Sequence, residues 1–345
     1  MQATFDSRHL NDDLVLVSGV SGFVGSQVAL AFLDAGFKVR GTVRSIEKGA
    51  AWNKKHAKYS DQIEWVIVED IAAPGAFDEA VEDVTIVVHT ASPFHYDVKD
   101  NENDMLKPAI AGTRNMLEAC ASDKGSKIKR VVITSSFAAV LDLKSGLGED
   151  TSYNHETWNP VTYEEAVKSD DATAVYCASK KLAEEAAWKF VKDNKVNFSL
   201  ATICPPLIFG PPQQVVTDLK SLNTSSDAVW SIVDAKQIPD TSFPVGTDVR
   251  DIAKAHLLAA TKSEAAGQRY LTIAHHFNNS QIAKIIKEKF PEQAHRIVDA
   301  EVKQDPHFKT DSSHAEKQLG LQWIPFEQTV VDTARELFNL EKTLK

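Results

Sequence analysis

Short runs of β-branched and apolar residues alternate with longer segments of helical periodicity over the first 200 or so residues. This alternation is the pattern of βαβ units feeding a parallel sheet. The runs predict strands at Leu14–Ser18, Lys38–Val43, Glu64–Val68, Thr85–His89, Arg130–Thr134, Phe198–Ile203 and Arg269–Ile273. Several are continuously apolar, as strands covered on both faces are. Helices are predicted near Val24–Ala35, Glu47–Lys58, Glu102–Ser122, Ala172–Asp193, Val249–Lys262, Asn279–Lys289, Ser312–Leu319 and Phe326–Leu340. The alternation stops after Cys204, where Pro205-Pro206-Leu-Ile-Phe-Gly210-Pro211-Pro212 reads as a boundary. An irregular Ser/Thr-rich stretch runs on to about Gly246. The expected fold class is therefore α/β, a doubly wound parallel sheet with a smaller, discontinuous C-terminal domain. Residues 1–205 plus about 247–275 would form the first domain, and 206–246 plus 276–345 the second.

Composition narrows the function classes. At 345 residues, 43% hydrophobic and 25% charged, the chain is an ordinary globular sequence. A net charge of −10 argues against nucleic acid or an anionic membrane as partner, while leaving room for a local basic pocket. Cys120, Cys177 and Cys204 show no C-x-x-C spacing, so neither a disulfide framework nor a metal site is expected, and a reducing compartment is. His275-His276 has no third ligand at metal spacing and reads as a loop. No apolar run approaches the ~20 residues that span a bilayer, and Met1 to Asp13 lacks the apolar segment of a signal peptide. The expectation is a cytoplasmic monomer or homodimer.

Three motifs carry chemistry. After the first strand comes Ser18-Gly19-Val-Ser21-Gly22-Phe23-Val24-Gly25 and then an apolar helix. In a dinucleotide turn, the glycine at position 19 would permit the tight bend and Gly22 would let a pyrophosphate approach. Gly25 would let helix and strand pack closely. Amides at the helix start then face phosphate. The second strand ends in Val39-Arg40-Gly-Thr-Val43-Arg44-Ser45, where an NAD enzyme would carry an acid. Arg44, with Lys48 one turn on, instead suits the 2′-phosphate of NADP.

The third motif is a tyrosine. Of six tyrosines, only Tyr176 has a cation four residues later, Lys180, on the same helix face. An ammonium at roughly 6 Å and a dielectric near ~20 stabilises a phenolate by about 3 kcal/mol, which suits the phenol to acid catalysis. Val131-Val-Ile-Thr134-Ser135-Ser136 places small hydroxyls at the carboxyl end of a buried strand, where open α/β sheets bind ligands.

With these motifs in this order, the chain resembles an extended short-chain dehydrogenase/reductase of Rossmann type. It is similar to the dihydroflavonol 4-reductase branch, and within it to fungal methylglyoxal/isovaleraldehyde and NADPH-dependent carbonyl reductases. Ala91-Ser92-Pro93-Phe94, Leu222-Asn-Thr-Ser225, Asp248-Val-Arg-Asp-Ile-Ala-Lys-Ala-His256 and Val330-Val-Asp-Thr333 carry the likeness alongside the motifs. The resemblance implies Ser136 as catalytic serine, Tyr176 as acid and Lys180 as its partner. It also implies cofactor contacts from Arg44, Asp70, Ile71, Thr90, Ala91, Leu207, Ile208 and Ser225. Ser21, Phe23, Val24, Lys48, Ser92, Thr134 and Pro205 complete the expected NADP(H) set. Ser18 stands where threonine is usual in that group, and Cys204-Pro205-Pro206 where Asn-Pro is usual.

The expected substrate is a small carbonyl compound, with Phe94, Phe137 and Trp230 as candidate pocket walls. Two rival readings share the fold: an NAD(P)-dependent nucleotide-sugar epimerase or dehydratase, and a non-catalytic NADPH sensor. Against the first, residues 206–247 contain only Lys220 and Lys236 as bases. Against the second, all three catalytic residue types are kept.

Overall fold

In a computed structural model, which describes residues 13–93, 98–145, 148–302 and 307–344, both sequence periodicities become elements of the expected kind. The strands are β1 (Leu14–Ser18), β2 (Lys38–Val43), β3 (Ile63–Ile67), β4 (Ile86–His89), β5 (Arg130–Thr134), β6 (Ser152–Tyr153), β7 (Ser199–Cys204), β8 (Leu207–Phe209), β9 (Val245–Asp248), β10 (Arg269–Leu271), β11 (His275–His276) and β12 (Lys309–Thr310). The α-helices are α1 (Phe23–Asp34), α2 (Ile46–Lys55), α3 (Lys107–Ala121), α4 (Tyr163–Val167), α5 (Ala172–Asp193), α6 (Thr224–Trp230), α7 (Val249–Thr261), α8 (Asn279–Lys289), α9 (Ser313–Leu319) and α10 (Phe326–Thr343).

Seven strands form one sheet in the order β10-β7-β5-β4-β1-β2-β3, every ladder parallel. The chain winds outward from β1 through β2 and β3, then returns to β4 on the other side of β1. That reversal opens a crevice between β1 and β4 at their carboxyl ends, the place where such sheets bind ligands. Alternation within β1 explains the two cores. Val15 and Val17 pack with α1 and α7 through Val28, Phe32 and Ala259, while Leu16 faces Met116 and Leu117 of α3.

A three-stranded sheet, β11-β9-β8, stands beside the large one. Its own core joins Phe209, Val229, Phe277, Ile286 and Leu337. The irregular reading of 206–246 missed β8, α6 and the start of β9. Strands and helices of three to seven residues are too short to display a period.

The predicted helix from Glu102 also begins differently. Asn101–Leu106 is a π-helical stretch that runs into α3, whose second residue is Pro108. Proline cannot donate to the carbonyl four residues back and crowds it, and the wider π turn relieves both. Asp100 caps this stretch, accepting from the amides of Glu102 and Asn103, each at 3.0 Å.

Asp248, fully buried, caps α7 and accepts from Arg250 Nε (2.9 Å), Arg250 Nη2 (2.7 Å) and Thr329 Oγ1 of α10 (2.8 Å). Arg250 reaches on to Asp332 at 2.8 Å. Next to this network Asp251 is buried and accepts only from the Ile324 amide, at 2.9 Å, among the described residues. Burial pushes its carboxyl up to about 6. The raised value means stability that is present at low pH and lost as pH rises through about 6. Asp251→Asn keeps an acceptor and removes the charge. Its stability relative to the parent should therefore increase by about 1 kcal/mol between pH 5 and pH 8 in urea unfolding. An unchanged difference between the two pH values would show that Asp251 is not held near 6.

Candidate active site

The glycine turn sits at the mouth of the β1/β4 crevice. Gly19 has φ +71°, and a Cβ there would lie 3.1 Å from both Cα and Cβ of Ala91. A Cβ on Gly25 would run into the carbonyl of Gly19, with Thr90 Oγ1 at 2.9 Å. Gly22, by contrast, is exposed and caps α1 with no side chain and no acid in the first turn. Ser21, Phe23 and Val24 are each half-buried around it. The cradle fits a pyrophosphate, since bare amides at a positive helix end are what an anion requires.

Ser18 holds this crevice in shape. Its hydroxyl oxygen accepts from the amides of Thr90 and Ala91, both at 3.0 Å, and lies 2.9 Å from His89 Nδ1. Two donors occupy its lone pairs, so its proton goes to His89 Nδ1. Burial, and then the charge of Lys180, hold His89 down at about 4, in keeping with a neutral ring. Serine thus serves where threonine was expected.

Beyond β2, Arg44 and Lys48 are both exposed, and among the described residues neither has a carboxylate partner. Burial and the neighbouring Arg44 charge hold Lys48 below its ordinary value. A pair of uncompensated cations is a phosphate site in waiting. Arg40 is different: it binds Glu64 at 2.6 Å and donates to the carbonyls of Ala80 (3.0 Å) and Glu82 (2.5 Å). Asp70 is exposed and turns its carboxylate back to the Ala72 amide at 2.8 Å. Ile71 packs towards Gly112 of α3, with its carbonyl held by Asn115 at 2.9 Å.

Ser136, Tyr176 and Lys180 line one cleft of about 640 Å³, together with Thr173, Cys177, Leu207 and Phe243. Tyr176 and Lys180 are successive turns of one face of α5, and the Lys180 ammonium lies 5.4 Å from the Tyr176 ring centre. Lys180 Nζ also donates to Ser92 Oγ at 2.5 Å, and burial brings its ammonium down to about 8. Ser136 caps a short 3₁₀ turn, its Oγ accepting from the Ala138 amide at 3.1 Å. Pro205 accepts from the Phe137 amide at 2.8 Å, so the strand end carrying Ser136 is tied to the chain leaving β7.

Several expected residues are placed differently. Thr134 Oγ1 is engaged with His256 of α7 at 2.7 Å. Ser225 is buried and spends its hydroxyl on the Ile208 carbonyl, joining α6 to β8. Trp230 does not reach the cleft; its ring lies edge-on to Phe338 at 5.8 Å, in the core beside β8. Phe137 borders the cleft, yet its ring is buried between Tyr153 and Phe308, each at 5.5 Å. Phe94 lies outside the described residues. The cleft contains two residues that the sequence reading passed over. Cys177, beside Tyr176, is buried and also borders the cleft, its thiol pushed up to about 12 by burial, and Phe243 comes from the segment read as irregular.

A third omission is Glu184, buried one turn beyond Lys180 and bound to Ser135 Oγ at 2.7 Å and Arg269 Nε at 2.8 Å. The signal was available, an acid continuing the i, i+4 face of Tyr176 and Lys180.

Comparison with known proteins identifies the family. Residues 16–277 match the 3-beta hydroxysteroid dehydrogenase/isomerase family. A ketoreductase of Aspergillus niger is 38% identical over 337 residues, covering 94% of this chain and 97% of its own. The NADPH-dependent methylglyoxal reductase Gre2 of Saccharomyces cerevisiae is 35% identical over 341 residues, covering 95% and 98%. The crystal structure of yeast methylglyoxal/isovaleraldehyde reductase Gre2 with NADPH superposes with a TM-score of 0.88 at 34% identity, covering 95% of this chain and 99% of that one. The chain belongs to the 3-beta hydroxysteroid dehydrogenase/isomerase family of extended short-chain dehydrogenases/reductases.

Proposed function

We propose that this protein is an NADPH-dependent reductase that converts neutral aldehydes and ketones to alcohols. The observation that carries the reading is the convergence of Ser136, Tyr176 and Lys180 on one largely apolar cleft, with an uncompensated Arg44/Lys48 pair across the glycine turn. Relatives named as NADPH-dependent methylglyoxal reductase and ketoreductase, similar along nearly their whole length, support the same activity. Bound NADPH supplies the hydride that reaches the carbonyl carbon. The chain's own residues hold the carbonyl and manage the proton. Ser136 Oγ donates a hydrogen bond to the substrate oxygen, and Tyr176 gives up its phenolic proton as negative charge develops there. Lys180, held by Ser92, offsets the charge left on Tyr176.

The cleft favours a neutral substrate. Lys180 is the one charged side chain among its described lining residues, and the walls from Val98, Met105, Leu207 and Phe243 are apolar. A nucleotide sugar would leave its pyrophosphate without a basic partner there. The division of labour we infer is a cofactor-binding body of residues 1–205 plus about 247–275 and a substrate-selecting body of 206–246 plus 276–345. Three buried free cysteines suit a reducing, cytoplasmic location. No helix among the described residues is long and apolar enough to cross a membrane. A monomer or homodimer would serve, since every named group lies in one chain.

Four experiments test the reading, starting with a survey of aldehydes, diketones and aryl ketones by NADPH absorbance to find a substrate. Tyr176→Phe should lower kcat at least a hundredfold while NADPH affinity stays within about threefold, because only the transferable proton is lost. Turnover within tenfold of the parent would remove Tyr176 from the mechanism. Arg44→Asp should reduce the NADPH/NADH ratio of kcat/KM by about tenfold or more, since it replaces a charge-assisted phosphate contact with a carboxylate. Arg40 is committed to Glu64, so an unchanged ratio would assign selectivity to Lys48. Finally, kcat/KM for NADPH reports the free enzyme. Lys180 is charged below about 8 and neutral above, so kcat/KM should fall as pH rises through that value. A profile flat to pH 10 would show that Lys180 does not titrate there.

A further inference from the structure

We propose that Glu184 is a positioning residue for the reduction, fixing the Ser136 strand end against the helix face that carries Tyr176 and Lys180. The inference rests on the reductase reading above. Tyr176, Lys180 and Glu184 occupy i, i+4 and i+8 of α5, so one straight helix face presents all three. Glu184 is 2% exposed, and its two oxygens are shared among four elements. Oε2 accepts from Ser135 Oγ at the end of β5 (2.7 Å). Oε1 accepts from Thr202 Oγ1 of β7 (2.7 Å) and Arg269 Nε of β10 (2.8 Å), and from Trp188 Nε1 one turn along α5 (3.2 Å).

The network brackets Ser136. On one side, the Ser135 amide donates to the Ile203 carbonyl at 2.7 Å, while its hydroxyl is held by Glu184. On the other, the Phe137 amide donates to Pro205, and the Ala139 carbonyl accepts from Arg269 Nη2 at 3.4 Å. Arg269 also binds the carbonyls of His155 (3.0 Å) and Thr157 (2.6 Å) and lies 3.9 Å from the Trp158 ring centre. The Ser135–Glu184 bond thus joins the serine strand end to the tyrosine helix, and Arg269 holds the same carboxylate and the carbonyl of Ala139 beyond Ser136.

Stability alone does not account for this choice. A buried ion pair gains little over well-packed apolar side chains of equal volume, and it leaves a large penalty if either partner is lost. The Glu184 carboxylate faces Arg269 at 2.8 Å, and the lowering of Lys180 has burial as its cause. What remains is geometry. Donors to both carboxylate oxygens, Ser135 Oγ on one and Thr202 Oγ1 and Arg269 Nε on the other, fix α5 against β5, β7 and β10 more tightly than apolar contact can, and a misplacement of about 1 Å can cost a hundredfold in rate.

The test uses two variants. Ser135→Ala cuts the tie between Glu184 and the serine strand while leaving the ion pair whole, and Glu184→Gln replaces one acceptor oxygen with a donor. Four quantities are measured for each. They are kcat per NADPH-binding site, the enantiomeric ratio of alcohol from a prochiral ketone, the Kd of NADPH by fluorescence, and the Kd of a simple non-reducible amide for the NADPH complex.

Positioning predicts a loss of about tenfold or more in kcat and an altered enantiomeric ratio. The amide should bind at least about threefold more weakly, with NADPH affinity within about threefold of the parent. A merely structural role predicts a lower Tm but unchanged kcat per site, enantiomeric ratio and amide affinity, and that outcome would overturn the proposal. Should Glu184→Gln not fold, Ser135→Ala decides alone. A parent protein that reduces no carbonyl and binds no amide would instead defeat the reductase reading itself.

Discussion

The site depends on how β1 and β4 part at the switch point of the sheet. Parallel strands satisfy each other's amides only while they run side by side, and at their carboxyl ends the chains must separate to make a crevice. One hydroxyl covers the transition. Ser18 Oγ takes the two amides released by β4, Thr90 and Ala91, and passes its own proton to a neutral His89. Thr90 Oγ1 returns the contact to the Ser18 carbonyl at 2.5 Å. With the β4 end so fixed, Ala91 stands where any Cβ at Gly19 would meet it, and Ser92 stands where Lys180 can reach it. The glycine turn and the lysine on α5 are therefore set against the same short segment, although about 160 residues separate them in sequence.

Charge commitment, more than charge count, marks out the cofactor side. The chain is acidic overall, and several of its arginines are structural. Arg40 links β2 to β3, Arg130 donates to the Ala259 carbonyl near the end of α7, Arg250 ties α7 to α10, and Arg296 is gripped by Asp234 and Glu341. Each has lost its capacity to bind an outside anion. Arg44 and Lys48 have not, and they sit at the end of β2, the position that discriminates the ribose 2′ substituent. The sequence reading preferred Arg44 by its place just past β2, but it had no view of what Arg40, four residues earlier within the strand, is bound to. The acceptors around Arg40, Glu64 and the Ala80 and Glu82 carbonyls, show that this arginine is spoken for.

The same distinction explains what was legible in advance. The central sheet could be read because β1, β4 and β5 are buried on both faces and leave continuous apolar runs, and α1 and α5 are long enough to show a period. Tyr176 and Lys180 could be read because a helix turns a four-residue spacing into a contact. Trp230 could not be placed, since an aromatic residue in an apolar segment fits a core and a pocket equally well, and only Phe338 across from it decides. Phe137 is a similar case, adjacent in sequence to the candidate serine yet buried against Tyr153 and Phe308. Glu184 was passed over because a glutamate on a helix ordinarily faces solvent. Its burial follows from Arg269, 85 residues later, on a strand that the sequence does not link to it.

The route of the chain past the cleft carries it from the large sheet to the smaller one. β7 ends at Cys204, Pro205 accepts from the Phe137 amide, and two residues later Leu207 begins β8 of the smaller sheet. One continuous segment thus closes the reacting side of the cleft and opens its far wall. Proline at 205 and 206 gives up no useful donor here, since both neighbouring contacts use carbonyls or side chains, and its fixed φ makes the crossover stiff. Ser136, Tyr176 and Lys180 lie on elements of the large sheet and α5, whereas Leu207, Thr224 and Phe243 come from 206–246. Changes in that segment would reshape the apolar wall while leaving untouched the Ser135–Glu184–Arg269 contacts between β5, α5 and β10, all of which lie outside it. A rigid chemical half and a replaceable wall of short elements is the arrangement by which one reductase scaffold can take carbonyls of different bulk.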